Sequence, residues 1–451
     1  MKAIFADQAL LSGGWRQRVR IGVEAGTITD LQPDASPLPD DERHAIVLPG
    51  MPNVHSHAFQ RAMAGLAETR GPGADTFWTW RETMYRFALT MTPDHVEAVA
   101  AQLYVEMLEA GFSRVGEFHY LHHDRDGGPY ANIAEMAERI AAAASETGIG
   151  LTLLPSFYAH FTFGGTTPSE GQRRFINGIE GFGALLEKSK QAVRHLDGAL
   201  VGIAPHSLRA VTPDELKQVA ALSPKGPIHI HAAEQVKEVE DCIAWSGARP
   251  VQWLLDNAGV DSRWCLIHAT YMSESETATL ARSGAVAGLC PITEASLGDG
   301  IFDGQGFREQ GGRFGIGSDS NVLIGVADEL RQLEYAQRLA SRTRNVLASP
   351  GQSNGRALLD AALAGGAQAL GVPASTLAVG APADFIALDA SRPSLAGKSG
   401  DAILDSWIFA NGAAVDCAWV RGRKLVSNGR HIRREPIARR FRAVMMQLGG
   451  N

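Results

Sequence analysis

The chain has 451 residues, 45% hydrophobic and 20% charged, with 42 Lys and Arg against 49 Asp and Glu for a formal charge of −7. This is a globular composition, with material for one barrel-sized unit plus something smaller; it excludes disorder, collagen and coiled coil as the main class. The acidic balance also argues against a nucleic-acid partner.

Four scattered cysteines (Cys242, Cys265, Cys290, Cys417) form no CxxC pair, the usage of a reducing cytoplasm. Asp7 arrives before a signal-peptide core could form. No apolar run approaches about 20 residues, so neither a transmembrane helix nor a membrane partner is expected.

In chain order, residues 1–47 read as strands. Arg18-Val-Arg-Ile-Gly-Val-Glu alternates in polarity, Gly26 punctuates, and Thr27-Ile-Thr-Asp-Leu resumes, as in a hairpin. The acidic, proline-rich stretch 33–42 predicts a surface loop. From Val47 onward short apolar runs alternate with helical patterns. Runs beginning at Ile46, Ser113, Gly150, Leu200, Pro227, Trp264, Ala285 and Arg313 predict eight strands. Helical patterns over 131–146, 213–222 and 236–257 fall between them.

Eight βα units match a TIM-type (β/α)8 barrel. A doubly wound sheet needs fewer strands and usually a Gly-rich turn after the first; here that strand runs into Asn53-Val-His-Ser-His. After Asp319 come a helix with apolar positions Val326, Leu330, Leu333 and Leu339, and another over 355–370. Strand-like stretches then follow at 374–380, 383–389 and 418–426. The strand-rich ends are expected to pair into one small β domain. The predicted division is 1–47 and 371–432 for that domain, 48–370 for the barrel, and 433–451 for a basic closing helix with a solvated face or an oligomer contact.

The chemistry concentrates at the carboxyl ends of the barrel strands, where barrel active sites form. His55 and His57, two apart on extended chain, point to one side. His229-x-His231 closes the fifth strand and leads to Glu234; His268 closes the sixth and Asp319 the eighth. Three imidazoles and a carboxylate suit Zn²⁺ or Fe²⁺ and not Mg²⁺ or Ca²⁺. Any one of these residues alone could be a satisfied loop or core group; five coincidences are a poor account of them all.

With Leu48-Pro-Gly-Met-Pro-Asn-Val-His-Ser-His at the front and Gly380-Ala-Pro-Ala-Asp-Phe-Ile-Ala-Leu-Asp at the rear, the chain resembles the amidohydrolase superfamily. The resemblance implies an α/β fold, a distorted TIM barrel with a small β-sandwich built from both chain ends. It also implies metal ligands His55, His57, His231 and Asp319, with His268 beside the metal-bound water and His229 structural. Two-metal members carry a bridging lysine on the fourth strand; Leu200-Val-Gly-Ile-Ala has none. One Zn²⁺ per subunit is therefore expected, with Fe²⁺ the alternative. The single metal and His231-Ala-Ala-Glu234 resemble the deaminase branch, which makes Glu234, His268 and Asp319 the catalytic set: hydroxide generation at the metal, with Glu234 carrying a proton to the departing nitrogen.

Near the same strand ends stand Gln60, Tyr120, His206 and Arg209, with Arg81 expected in the long loop after the first strand. Guanidinium groups hold carboxylates bidentately, so two arginines imply a small dicarboxylate substrate. The strings His55-Ser-His-Ala-Phe-Gln-Arg, Thr76-Phe-Trp-Thr-Trp-Arg-Glu, Gly116-Glu-Phe-His-Tyr and Pro205-His-Ser-Leu-Arg resemble the N-formimino-L-glutamate deiminases of histidine degradation. The resemblance implies those five residues as substrate contacts. The competing readings are a purine-type deaminase of the same superfamily and a non-catalytic scaffold barrel. A homodimer is the expected assembly.

Overall fold

The computed structural model describes residues 2–411 and 414–449. β1 (Lys2–Leu11), β2 (Gly14–Glu24) and β3 (Thr27–Gln32) form an antiparallel meander, and β4 (Glu42–Pro49) runs parallel to β1. The expected hairpin about Gly26 is the β2–β3 turn. The run at Ile46, however, is not the first barrel strand. It is part of β4, whose Val47 is buried in the core of the end sheet. The chain crosses to the barrel at Gly50, where a side-chain carbon would lie only 2.6 Å from Ser113 Cβ, and the first barrel strand is β5 (Met51–Ser56).

The remaining barrel strands are β6 (Phe112–His119), β7 (Gly150–Phe157), β8 (Leu200–Val201), β9 (Ala204–Pro205), β10 (Ile228–Ala232), β11 (Trp264–His268), β12 (Val286–Leu289) and β13 (Arg313–Ile316). They pair in parallel as two arcs, and continuous ladders do not close the barrel. At one seam a single bridge joins Ser56 to Asp319; at the other, bridges join Ile203 to Ile228 and Ser207 to His231. The predicted fourth strand is split into β8 and β9. Gly202 sits at the break, where a side-chain carbon would be 2.5 Å from Pro227 O.

Helix Pro213–Leu222 forms as expected, held by the Thr212–Glu215 capping box. The pattern over 236–257 is two helices, Val236–Ser246 and Pro250–Asn257. Gly247 ends the first in the left-handed region (φ 76°) and Pro250 starts the second. The later patterns become helices Val326–Ser341 and Asn354–Ala369.

β14 (Phe385–Leu388), β15 (Val415–Val420), β16 (Arg423–Ser427) and β17 (Arg430–His431) complete the end sheet, in the order β17-β16-β15-β14-β4-β1-β2-β3. The stretch 374–380 is not a strand; only Leu377 bridges Leu11, between Pro373 and the left-handed Gly380. That segment instead ties the far edge back. Ile28 N–H donates to Ala381 O at 2.9 Å and Gly380 N–H to Ile28 O at 2.8 Å, so the sheet folds over its own core of Ile21, Ile28, Val47, Phe385 and Trp419. The alternate residues Ile46, Leu48, Ile386 and Val420 pack on the barrel. Each fully buried side chain of this size stabilises by about 1.5–3 kcal/mol.

The closing helix, Arg434–Gly449, lies on helix Pro93–Glu109 through the buried Ile437 and Val444. Arg440 pairs with Glu146 at its edge. Among the described residues no helix is long and apolar enough to cross a membrane.

Candidate metal centre and active-site cavity

The seam between β5 and β13 is where the candidate ligands meet. Asp319 N–H donates to His55 O and His57 N–H to Asp319 O, both at 3.0 Å. Asn321 Nδ2 donates to Asp319 O at 2.8 Å and His57 O at 3.1 Å, while Asn53 Nδ2 donates to Ser318 Oγ at 2.7 Å. Gly317 must be small, since a side-chain carbon there would sit 2.8 Å from both His55 N and His55 O. His268 (φ 67°) and Asp319 (φ 43°) occupy the left-handed region, a strain that the surrounding hydrogen bonds hold in place.

His55, His57, His231 and Asp319 bring four donor atoms within 4.8 Å of one another. His55 Nε2 lies 3.2 Å from His57 Nε2 and 3.1 Å from His231 Nε2. Asp319 Oδ1 lies 3.4 Å from His55 Nε2 and 3.3 Å from His57 Nε2. Donors about 2.0–2.1 Å from one tetrahedral ion are about 3.3–3.4 Å apart, so the set has the spacing of a single-cation site.

The second nitrogens fix the tautomers. His57 Nδ1 donates to Phe118 O and His231 Nδ1 to His206 O, each at 2.9 Å; a carbonyl only accepts, so both Nε2 atoms present lone pairs inward. Burial pushes all three imidazoles below their ordinary pKa, aided at His55 and His231 by neighbouring histidines. Neutral imidazoles are the form that ligates. His229 lies apart, with Nε2 donating to Ala369 O at 2.7 Å inside the barrel.

Beside the cluster, His268 Nε2 is 3.7 Å from Asp319 Oδ2 and 3.8 Å from Glu234 Oε1. Its Nδ1 faces Glu294 Oε1 at 3.3 Å, and the same oxygen accepts Cys290 N–H at 2.8 Å. Burial alone would lower the His268 pKa, but Glu234, Glu294 and Asp319 hold it up at about 10. Glu234 is pushed up to about 7 by burial, against the pull of His268 and Arg209.

Every sequence-predicted site residue except His55, which lies beneath, lines one cavity of about 550 Å³. Gln60 Nε2 donates to Tyr120 Oη at 2.8 Å. The Tyr120 ring packs against His57, and the His206 ring against His231. Arg209 is buried, its Nε has no protein partner, and its Nη2 is 4.0 Å from Glu234 Oε2.

Arg81 is not on a loop as its surroundings suggested. It belongs to helix Phe77–Thr90, started by a Thr76–Thr79 capping box, and its guanidinium sits 4.5 Å from the Trp78 ring centroid. Residues of this helix missed in the sequence also line the cavity: Phe77, Trp80, Met84 and Tyr85 share Arg81's side at i, i+3, i+4 spacing. Tyr158 was missed as well, although it follows β7 as Tyr120 follows β6. Glu294 was missed behind His268; it sits within the short helix after β12.

Residues 46–425 match the family model described as "Amidohydrolase family", and the chain belongs to that family; it is a hydrolase. Residues 1–45 match "Formimidoylglutamate deiminase HutF, N-terminal domain". The chain is 54% identical to the formimidoylglutamate deiminase of Pseudomonas aeruginosa, over 99% of its own length and 100% of the relative's. It is 28% identical to a 5-methylthioadenosine/S-adenosylhomocysteine deaminase of Natronomonas pharaonis, over 79% and 75%. A solved amidohydrolase from Brucella melitensis superposes with a TM-score of 0.97 at 60% identity, covering 99% and 100%. An adenosine deaminase from Xanthomonas campestris with bound zinc gives 0.82 at 20% identity, covering 100% and 98%, a likeness of fold alone.

Proposed function

We propose that the chain hydrolyses N-formimino-L-glutamate to N-formyl-L-glutamate and ammonia, in cytoplasmic histidine breakdown, with one Zn²⁺ per subunit and Fe²⁺ as the alternative ion. The observation that carries this reading is the pairing of Arg81 and Arg209 with the His/Asp cluster in one cavity, which suits a dicarboxylate bearing an amidine carbon. The full-length likeness to the Pseudomonas enzyme supports it.

Held by His55, His57, His231 and Asp319, the cation would supply Lewis acidity and bring the pKa of a water down towards ~7. Asp319 takes the proton of the attacking water, and His268 orients that water across the gap it shares with Glu234 and Asp319. A C–O bond forms at the amidine carbon. Glu234 delivers a proton to the imino nitrogen as its C=N π bond opens. The proton held by Asp319 then passes to the resulting amino nitrogen, the hydroxyl gives its own proton back to Glu234 as the C=O forms, and the C–N bond breaks to release ammonia. Arg209 and Arg81 hold the carboxylates, and Gln60, Tyr120 and His206 contribute polar contacts at the wall. We assign the catalytic unit to residues 51–370 and the small β domain to residues up to Gly50 with 371–432, the expected boundary at 47/48 shifting because β4 runs to Pro49 in the end sheet. A homodimer is the proposed assembly, to be read by light scattering.

The deciding test is ammonia release by zinc-loaded protein offered formiminoglutamate, guanine and adenosine in parallel. Turnover of formiminoglutamate alone supports the proposal; turnover of a purine alone overturns the substrate and the arginine roles.

Arg209→Ala is expected to raise KM and lower kcat/KM by about 10²-fold or more, the loss of a buried bidentate contact, with metal content unchanged. Zinc loss or wild-type kinetics would contradict the role. Glu294→Ala is expected to lower kcat by about 10–100-fold with metal retained, because His268 Nδ1–H loses its acceptor and the ring its orientation. Glu294→Gln, which keeps an acceptor oxygen, should recover part of the rate.

A further inference from the structure

A second cavity, of about 850 Å³, lies at the amino ends of the barrel strands, opposite the catalytic pocket and against the end sheet. Arg114, near the start of β6, and Arg421, in the β15–β16 turn, both line it, together with Asp384 and Ser113. Arg114 is only 8% exposed. It spends three N–H groups inside the barrel wall: Nη1 on Leu151 O at 2.8 Å and Thr152 Oγ1 at 3.2 Å, Nη2 on Gly198 O at 2.7 Å. Nε–H and one Nη2–H remain.

The Arg421 guanidinium makes no hydrogen bond or ion pair among the described residues. The two cations converge across Gly198. A side-chain carbon built there would lie 3.0 Å from Arg421 Nη1 and 3.7 Å from Arg114 Nη2, so under about 7 Å separates the two nitrogens. Asp384 shares the cavity, yet its Oδ1 accepts the Arg421 backbone N–H, and neither guanidinium reaches the carboxylate within ion-pair distance. Burial and the charge of Arg421 both push Arg114 towards deprotonation, while Asp384 opposes them. Two neighbouring guanidinium groups with unspent donors, one of them buried, are what a planar or tetrahedral oxyanion neutralises.

We propose that this cavity binds a small oxyanion, a carboxylate or a phosphate, clasped between Arg114 of the barrel and Arg421 of the end sheet. Because the ligand bridges the two parts, it stabilises their junction. The site is independent of the catalytic pocket and of the substrate proposed for it.

The test uses the full-length metal-loaded enzyme with inorganic phosphate and, separately, glutarate, against chloride at matched ionic strength. Thermal unfolding and titration calorimetry are the readouts. Either anion binding once per chain and raising Tm by about 2–4 °C at saturation supports the site; phosphate alone or glutarate alone assigns the source. Arg421→Ala keeps the backbone N–H to Asp384, so it is expected to fold with wild-type kcat and KM while losing the binding heat and the Tm rise. Arg421→Lys keeps charge but not the fork and should bind weakly. No response to either anion in the wild type overturns the proposal. So does an undiminished response in Arg421→Ala, which would assign the binding to the catalytic pocket.

Discussion

Glu234→Gln is expected to lower kcat by about 10²–10⁴-fold, the usual contribution of a positioned acid–base group, while metal content and substrate affinity stay near wild type. The replacement is isosteric and the position is secured from behind. Glu238 accepts both Ala233 N–H and Glu234 N–H, each at 3.2 Å, fixing the backbone that turns out of β10 with Ala233 at φ 54°. An amide therefore occupies the same place between Arg209 and His268 but takes up no proton. The measurement is steady-state kinetics beside metal analysis and a binding isotherm for a non-hydrolysed substrate analogue. A kcat within about threefold of wild type would remove Glu234 from proton transfer; loss of metal would recast it as a structural support.

Much of this site was legible in the sequence because the barrel turns chain position into convergence. A polar residue just where an apolar run stops stands on the carboxyl rim, and His231, His268 and Asp319 obey that rule, whereas His55 lies inside the mixed strand β5 and was found through its spacing with His57. Tyr158 obeys it too and could have been found in the same way. Other features lacked a local signal. Helix Phe77–Thr90 is rich in aromatic and β-branched residues, which give poor helix propensity, so its Thr76–Thr79 capping box and the Arg81 face emerged only with the fold. Glu294 reads as an ordinary first-turn acid of the short helix Pro291–Leu297, and only β11 packing alongside gives it His268 as a partner.

The end sheet shows the same divide. Alternation in Thr27–Gln32 and the short apolar run Phe385–Leu388 signalled strands, but neither pattern says which strands are neighbours. Ile46–Pro49 matched the pattern of a buried barrel strand and of β4 equally well. Tertiary pairing with β1 and β14 decided between them. The stretch 374–380 had the apolar content of a strand, yet it is spent on tying Ile28 to the segment ahead of β14.

Removing the metal is expected to have the largest effect of all, on activity and stability together. Dialysis against a chelator should cut turnover by about 10³-fold or more, since several kcal/mol of transition-state stabilisation depend on the ion. It should also lower Tm, because a ligand bound only to the folded chain contributes about 4 kcal/mol when present at a thousand times its Kd. The cluster gives this a structural cause. Without a cation, the Nε2 lone pairs of His57 and His231 and the Asp319 carboxylate crowd His55 Nε2 at 3.1–3.4 Å in a buried space, where a single imidazole proton satisfies at most one of them at a time. Restoring stoichiometric Zn²⁺ should return both rate and Tm. His57→Ala should lose metal and rate but not fold, since Asn321 and the Asp319–His57 backbone bond close the seam without the imidazole. Full turnover by protein shown to be metal-free would overturn the centre. Rate loss in His57→Ala with metal still bound at wild-type affinity would leave the centre to a different donor set.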